Sequence, residues 1–115
     1  MAVILSRFMG EIVFGPIPVA ITGTGSAMYC YATINGTKYY SETTGIVVMP
    51  GDIITLSVPP NSYINIDGVS AGFFILGGNY DWTVPKSIKE ININFSITTT
   101  NNNDGYRINV TTTKR

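Results

Sequence analysis

The chain has 115 residues, zero formal net charge, one cysteine and no histidine; 12% of its residues are charged and 44% are hydrophobic. That length suits one domain around a single core, and seven Lys and Arg scattered from Arg7 to Arg115 argue against nucleic acid, whose phosphates need clustered cations. Without histidine the usual base of an acyl-transfer triad is missing, and one cysteine cannot build a zinc centre, so we expect no catalytic residue, no metal site and no cofactor.

Period-two alternation recurs along the chain, and no window repeats its apolar residues at helical spacing, so the expectation is all-β. Residues 2–9 and 11–14 read as a strand or strand pair carrying Val3, Ile4, Leu5, Phe8, Ile12 and Phe14. Residues 17–22 read as another, entered through prolines that suit an edge or a strand start. Residues 1–22 therefore have two readings: the first strands of the domain, or an anchoring arm able to add a strand to a neighbour. Glu11, Gly15, Pro16 and Pro18 interrupt the apolar run before the ~18 residues of a membrane helix, so no membrane span is expected. A leader cleaved near Ala27 is the alternative to the preferred reading, an unprocessed cytoplasmic product starting at Met1.

The domain proper is placed at residues 23–115 and starts with a Gly-rich loop, 23–26. Residues 27–34 and 37–41 then form a hairpin, because Asn35-Gly36 accepts the positive φ values of a type I′ turn. A two-residue turn sets Ile34 opposite Thr37, Thr33 opposite Lys38, Ala32 opposite Tyr39, Tyr31 opposite Tyr40 and Cys30 opposite Ser41. Met28, Cys30, Ala32, Ile34 and Tyr39 share the core face, while Tyr29, Tyr31, Lys38 and Tyr40 look outward. Cross-strand pairing alone accounts for Tyr31 and Tyr40, and a contact surface is the competing reading.

Strands follow at 45–49 and 53–58, separated by a Pro50-Gly51-Asp52 turn. A second type I′ hairpin joins 63–66 to 69–71 through Asp67-Gly68. Residues 73–76 are apolar without alternation, which fits a strand covered on both sides or an interface segment. Tyr80, Trp82 and Val84 alternate, then Ile91, Ile93, Phe95 and Ile97 in the most regular strand. A turn over 101–105 and a strand through Tyr106, Ile108 and Val110 precede a tail, 111–115. Eight to ten short strands with turn chemistry between them point to a β-sandwich.

The four aspartates offer little chemistry. Asp52, Asp67 and Asp104 sit in turn sequences, where short carboxylates cap backbone amides. The run 101–105 is oxygen-rich but lacks the carboxylates and distal Glu of a calcium loop. Cys30 reads as a small buried hydrophobe. What remains is binding. Tyr29, Tyr31, Tyr40, Tyr63, Tyr80 and Trp82 could stack on sugar rings or form a protein interface, where aromatics are enriched and charge is depleted; for Trp82 the sandwich core is the competing place.

Three stretches, ITGTGSAMYCYATINGTKYYSETTGIVVMPGDIITLSV, YDWTVPKSIKEININFSI and YRINVTTT, resemble the small immunoglobulin-like β proteins of tailed bacteriophage virions: capsid decoration proteins, head fibres and tail accessory subunits. The ING to PGD portion is also similar to immunoglobulin-like and PEGA-like modules of bacterial surface proteins. The resemblance implies an immunoglobulin-like antiparallel β-sandwich and a non-enzymatic structural subunit located on the virion. It implies decoration of the capsid in several copies, contacts with a major capsid or tail protein, and an N-terminal anchoring arm. The rival expectation is a glycan-binding tail or surface module that recognises host-surface glycan.

Overall fold

The computed structural model describes residues 15–24, 30–100 and 103–115. Ten strands cover most of them: β1 (Ile17–Thr24), β2 (Tyr31–Ile34), β3 (Thr37–Tyr39), β4 (Ser41–Val48), β5 (Ile53–Val58), β6 (Ser62–Ile66), β7 (Val69–Phe74), β8 (Gly78–Thr83), β9 (Ile88–Thr100) and β10 (Asn103–Lys114). No helix occurs among the described residues.

A six-stranded sheet in the order β4, β1, β9, β10, β6, β7 packs on a four-stranded sheet in the order β3, β2, β5, β8, forming an all-β sandwich. The packing follows from alternation, which gives each strand one apolar face that must leave water. Ile17, Val19 and Ile21 of β1, Ile91, Ile93 and Phe95 of β9, and Ile108 and Val110 of β10 meet Ala32, Ile34, Ile54, Leu56 and Trp82 of the smaller sheet in one buried cluster. Burying each Ile or Leu side chain in full stabilises the fold by about 1.5–3 kcal/mol. In β9 the extra residue Lys89 sits opposite a register break between Thr113 and Lys114, and this bulge re-aims Ile88 into the core.

Both Gly-containing hairpins form, the first in the expected register as far as Ala32 and Tyr39. Ile34 faces Thr37, Thr33 faces Lys38 and Ala32 faces Tyr39; Ile66 faces Val69 and Asn65 faces Ser70. Asn35 and Asp67 take φ of 52° and 50°, followed by Gly36 at 79° and Gly68 at 81°, as type I′ turns demand.

Several expectations change. Ser41 does not extend β3 opposite Cys30: the chain crosses between sheets at Tyr40, and Ser41 opens β4, opposite Thr24 of β1. Gly23 and Thr24 belong to β1 rather than to a loop, and residues 17–22 are sandwich residues paired with β4 and β9. Residues 75–76 form a turn, and Phe73, Ile75 and Leu76 are exposed, so the segment is not covered on both sides. β10 already begins at Asn103, inside the run expected as a turn, and the tail is strand through Lys114, held opposite β9. Two neighbour pairs are parallel, β1 with β9 and β6 with β10, in otherwise antiparallel sheets. The N-terminal positions Val3, Ile4, Leu5, Phe8, Ile12 and Phe14, with Met28 and Tyr29, lie outside the described residues.

Candidate binding surfaces

With the apolar faces turned inward, the outer faces of the two sheets are the surfaces available to a partner. On the four-stranded sheet, register lines up Lys38, Thr33, Thr55 and Asp81 across β3, β2, β5 and β8. The Thr55 hydroxyl donates to Asp81 Oδ1 at 2.8 Å, which fixes that carboxylate to the strand beside it. Beside this row the Tyr31 and Tyr40 rings meet at 5.1 Å between centroids, tilted by 42°, and Lys38 Nζ lies 5.1 Å from the Tyr31 ring centre. The pair forms although Tyr40 lies between strands, because Tyr31 and Tyr40 are held by the same turn.

The six-stranded sheet carries a different pattern. Thr22, Asn94, Asn109 and Asn65 stand in one register row across β1, β9, β10 and β6. Asn94 Nδ2 donates to Thr22 Oγ1 at 2.9 Å, and Asn65 Nδ2 donates to Asn109 Oδ1 at 3.2 Å, so neighbouring strands are tied by side-chain amides as well as by the ladder. The adjacent row holds Ser96, Arg107, Tyr63 and Phe73. Tyr63 and Phe73 lie 4.6 Å apart between ring centroids, and the Arg107 guanidinium carbon stands 5.3 Å from the Tyr63 ring centre, within cation–π range. Arg107 Nε is buried with no hydrogen-bond partner among the described residues. On the other side of the amide row, a groove of about 360 Å³ runs past Ala20, Gly45, Asn92, Thr111, Thr113 and Glu90.

The predicted aromatic residues therefore do not converge. Tyr31 and Tyr40 serve one outer face and Tyr63 the other, while Tyr80 is half-buried against the core and Trp82, 8% exposed, faces the sandwich interior rather than a stacking platform. Sequence reading missed Phe73 and Arg107 as partners of Tyr63, and it missed the asparagine row. The signal was the parity of Asn92, Asn94, Ser96, Arg107, Asn109 and Thr111, which marks them as outward; their assembly into rows needed the strand order.

Asp52 and Asp67 serve the fold. Asp52 Oδ2 accepts from the Met49 amide at 2.9 Å, closing the β4–β5 turn as expected. Asp67 reaches beyond its own turn to Thr112 of β10. Cys30 is buried, and desolvation pushes its thiol from 9.0 to about 11, so it carries no thiolate at neutral pH. Among the described residues no group of three or more Cys, Asp or Glu could hold a metal ion, and no helix is long and apolar enough to cross a membrane. No protein-family model matches the chain, and neither a curated protein nor a solved structure matches it.

Proposed function

We propose that this protein is a non-enzymatic structural subunit of a bacteriophage virion, an immunoglobulin-like module that decorates the capsid and is partly covered by its neighbours. The observation that carries the reading is a pair of exposed apolar sites at opposite ends of the sandwich. At one end the β7–β8 turn presents Ile75 and Leu76, with Leu76 86% exposed; at the other the β4–β5 turn and the strand residues beside it present Val47, Met49 and Ile53. Strand β5 separates them, since Ile53 pairs with Thr83 beside one turn and Val58 with Gly78 beside the other.

Different apolar patches at the two ends favour head-to-tail contacts, which close into rings or extend along a lattice. Few charges oppose such contacts in a chain of zero net charge. Strand addition at the edges of the larger sheet is disfavoured. A bulge interrupts β7, β4 pairs with register breaks, and Asn35 Nδ2 donates to the Val47 carbonyl at 3.3 Å. Contacts through turn side chains are the route proposed for the described residues, with residues 1–14 proposed as the arm that engages the major capsid or tail protein.

The test is particle incorporation with sedimentation beside it. The protein is expected in purified virions and, alone, to associate at high concentration, with Leu76→Asp and Ile53→Asp each reducing association and incorporation while melting temperatures hold. A wild-type protein that stays monomeric and is absent from virions would overturn the proposal.

A further inference from the structure

We infer that the outer face of the six-stranded sheet is a binding site for an oligosaccharide that carries a carboxylate, the acid group held at Arg107 and the hydroxyls along the asparagine row. This inference stands apart from the assembly reading, which uses the ends of the sandwich rather than this face.

Arg107 is the starting point. Its guanidinium is half-buried over Tyr63 and makes no ion pair among the described residues; Nε is enclosed, so the paired terminal Nη groups are the donors left to a ligand. A planar fork of N–H donors in that setting matches a carboxylate, which accepts two parallel bonds. The neighbouring row supplies the other half of the recognition. Because Asn65 Nδ2 is used by Asn109 Oδ1 and Asn94 Nδ2 by Thr22, the row keeps Asn109 Nδ2 as donor and Asn65 Oδ1 and Asn94 Oδ1 as acceptors. Alternating donors and acceptors on a flat sheet suit hydroxyls, which do both.

Asn92, lining the groove beyond, makes no side-chain hydrogen bond among the described residues. Four residues of strand rise and one strand spacing put it about 14 Å from Arg107, the length of a short oligosaccharide. The phenyl ring of Phe73, 48% exposed at the sheet margin, offers an apolar face for a sugar ring. A protein partner fits this face less well, since the central row holds amides where a protein interface has an apolar centre.

Immobilised uronate- and sialate-containing tetrasaccharides and their neutral counterparts are the probes. Retention of an acidic member over its neutral counterpart is expected. Titration should show binding weakened about 30-fold by Arg107→Gln, in the range for hydrogen bonds to a charged group, and several-fold by Arg107→Lys, which keeps the charge but loses the fork. Tyr40→Ala, on the opposite face, should leave binding unchanged. In the wild-type protein, side-chain amide resonances of Asn65, Asn94 and Asn109 should shift on binding, a readout that does not depend on variants folding. The assignment falls if no acidic tetrasaccharide is retained, if neutral counterparts bind equally, if the shifts map to Lys38 and Tyr31, or if Arg107 instead captures a protein partner and no glycan.

Discussion

Replacing Asp67 by alanine is expected to lower the unfolding free energy by about 3 kcal/mol. Asp67 opens the β6–β7 turn at φ 50° and its own N–H donates to the Val110 carbonyl at 2.8 Å. Its Oδ1 accepts from the Thr112 amide and its Oδ2 from the Thr112 hydroxyl, both at 2.7 Å. One carboxylate thus binds the hairpin to β10, the strand that carries Arg107 and Asn109. At an exposed, partly screened site the two side-chain bonds together contribute about 2 kcal/mol. Holding alanine in the left-handed region adds about 1 kcal/mol. The two terms separate in a series: Asp67→Gly loses only the bonds, about 2 kcal/mol, and Asp67→Asn keeps one acceptor and tolerates the turn, about 1 kcal/mol. Urea unfolding followed by the fluorescence of Trp82 measures all three. An alanine variant within about 0.5 kcal/mol of wild type, or a glycine variant less stable than the alanine one, would refute the reasoning.

Three further outcomes follow. Gly23, at φ 84°, would direct a Cβ into the Phe95 carbonyl oxygen of the adjoining strand, whereas a Cβ on Gly36 meets nothing within 4 Å. Gly23→Ala is therefore expected to cost about 3 kcal/mol or more and Gly36→Ala about 1 kcal/mol, read from thermal melts. Cys30 should resist alkylation in the native state and react only on unfolding. Its folded value near 11 exceeds the ordinary 9.0, so its burial stabilises fully below pH 9.0 and that contribution is lost as pH rises toward 11. The stability difference between wild type and Cys30→Ala should shrink over that window.

The hairpins were the most legible elements. Asn35-Gly36 and Asp67-Gly68 dictate their own geometry within four residues, and a two-residue turn leaves one register, so in the first hairpin the pairs next to the turn could be named residue by residue. Inward residues of β5 and β9 were legible for a similar reason, since alternation marks a face wherever one side is wet. Prediction weakened where geometry depended on a distant strand. Ser41 follows a β-compatible run in either sheet, and only its pairing with Thr24 decides that it leaves the hairpin. Thr111 to Lys114 are polar and looked like a tail, yet β9 extends far enough to hold them as strand. The apolar run at 73–76 suggested either cover on both faces or an interface segment; a turn falls inside it and leaves Leu76 in solvent, against the first of these.

Local chemistry thus settled the all-β character, the two Gly-containing hairpin turns and which side chains of the regular strands point inward, because those follow from φ preferences and a two-residue period acting over a few bonds. Which outward residues become neighbours was decided by tertiary structure. Asn94 and Asn109 are joined across β9 and β10, while Thr22, Asn65 and Tyr63 arrive through the parallel pairings of β1 with β9 and β6 with β10. Parallel neighbours are brought together by long connections that leave no mark in the sequence between them, so the face carrying Arg107, Tyr63 and the asparagine row exists only once the sheet has closed.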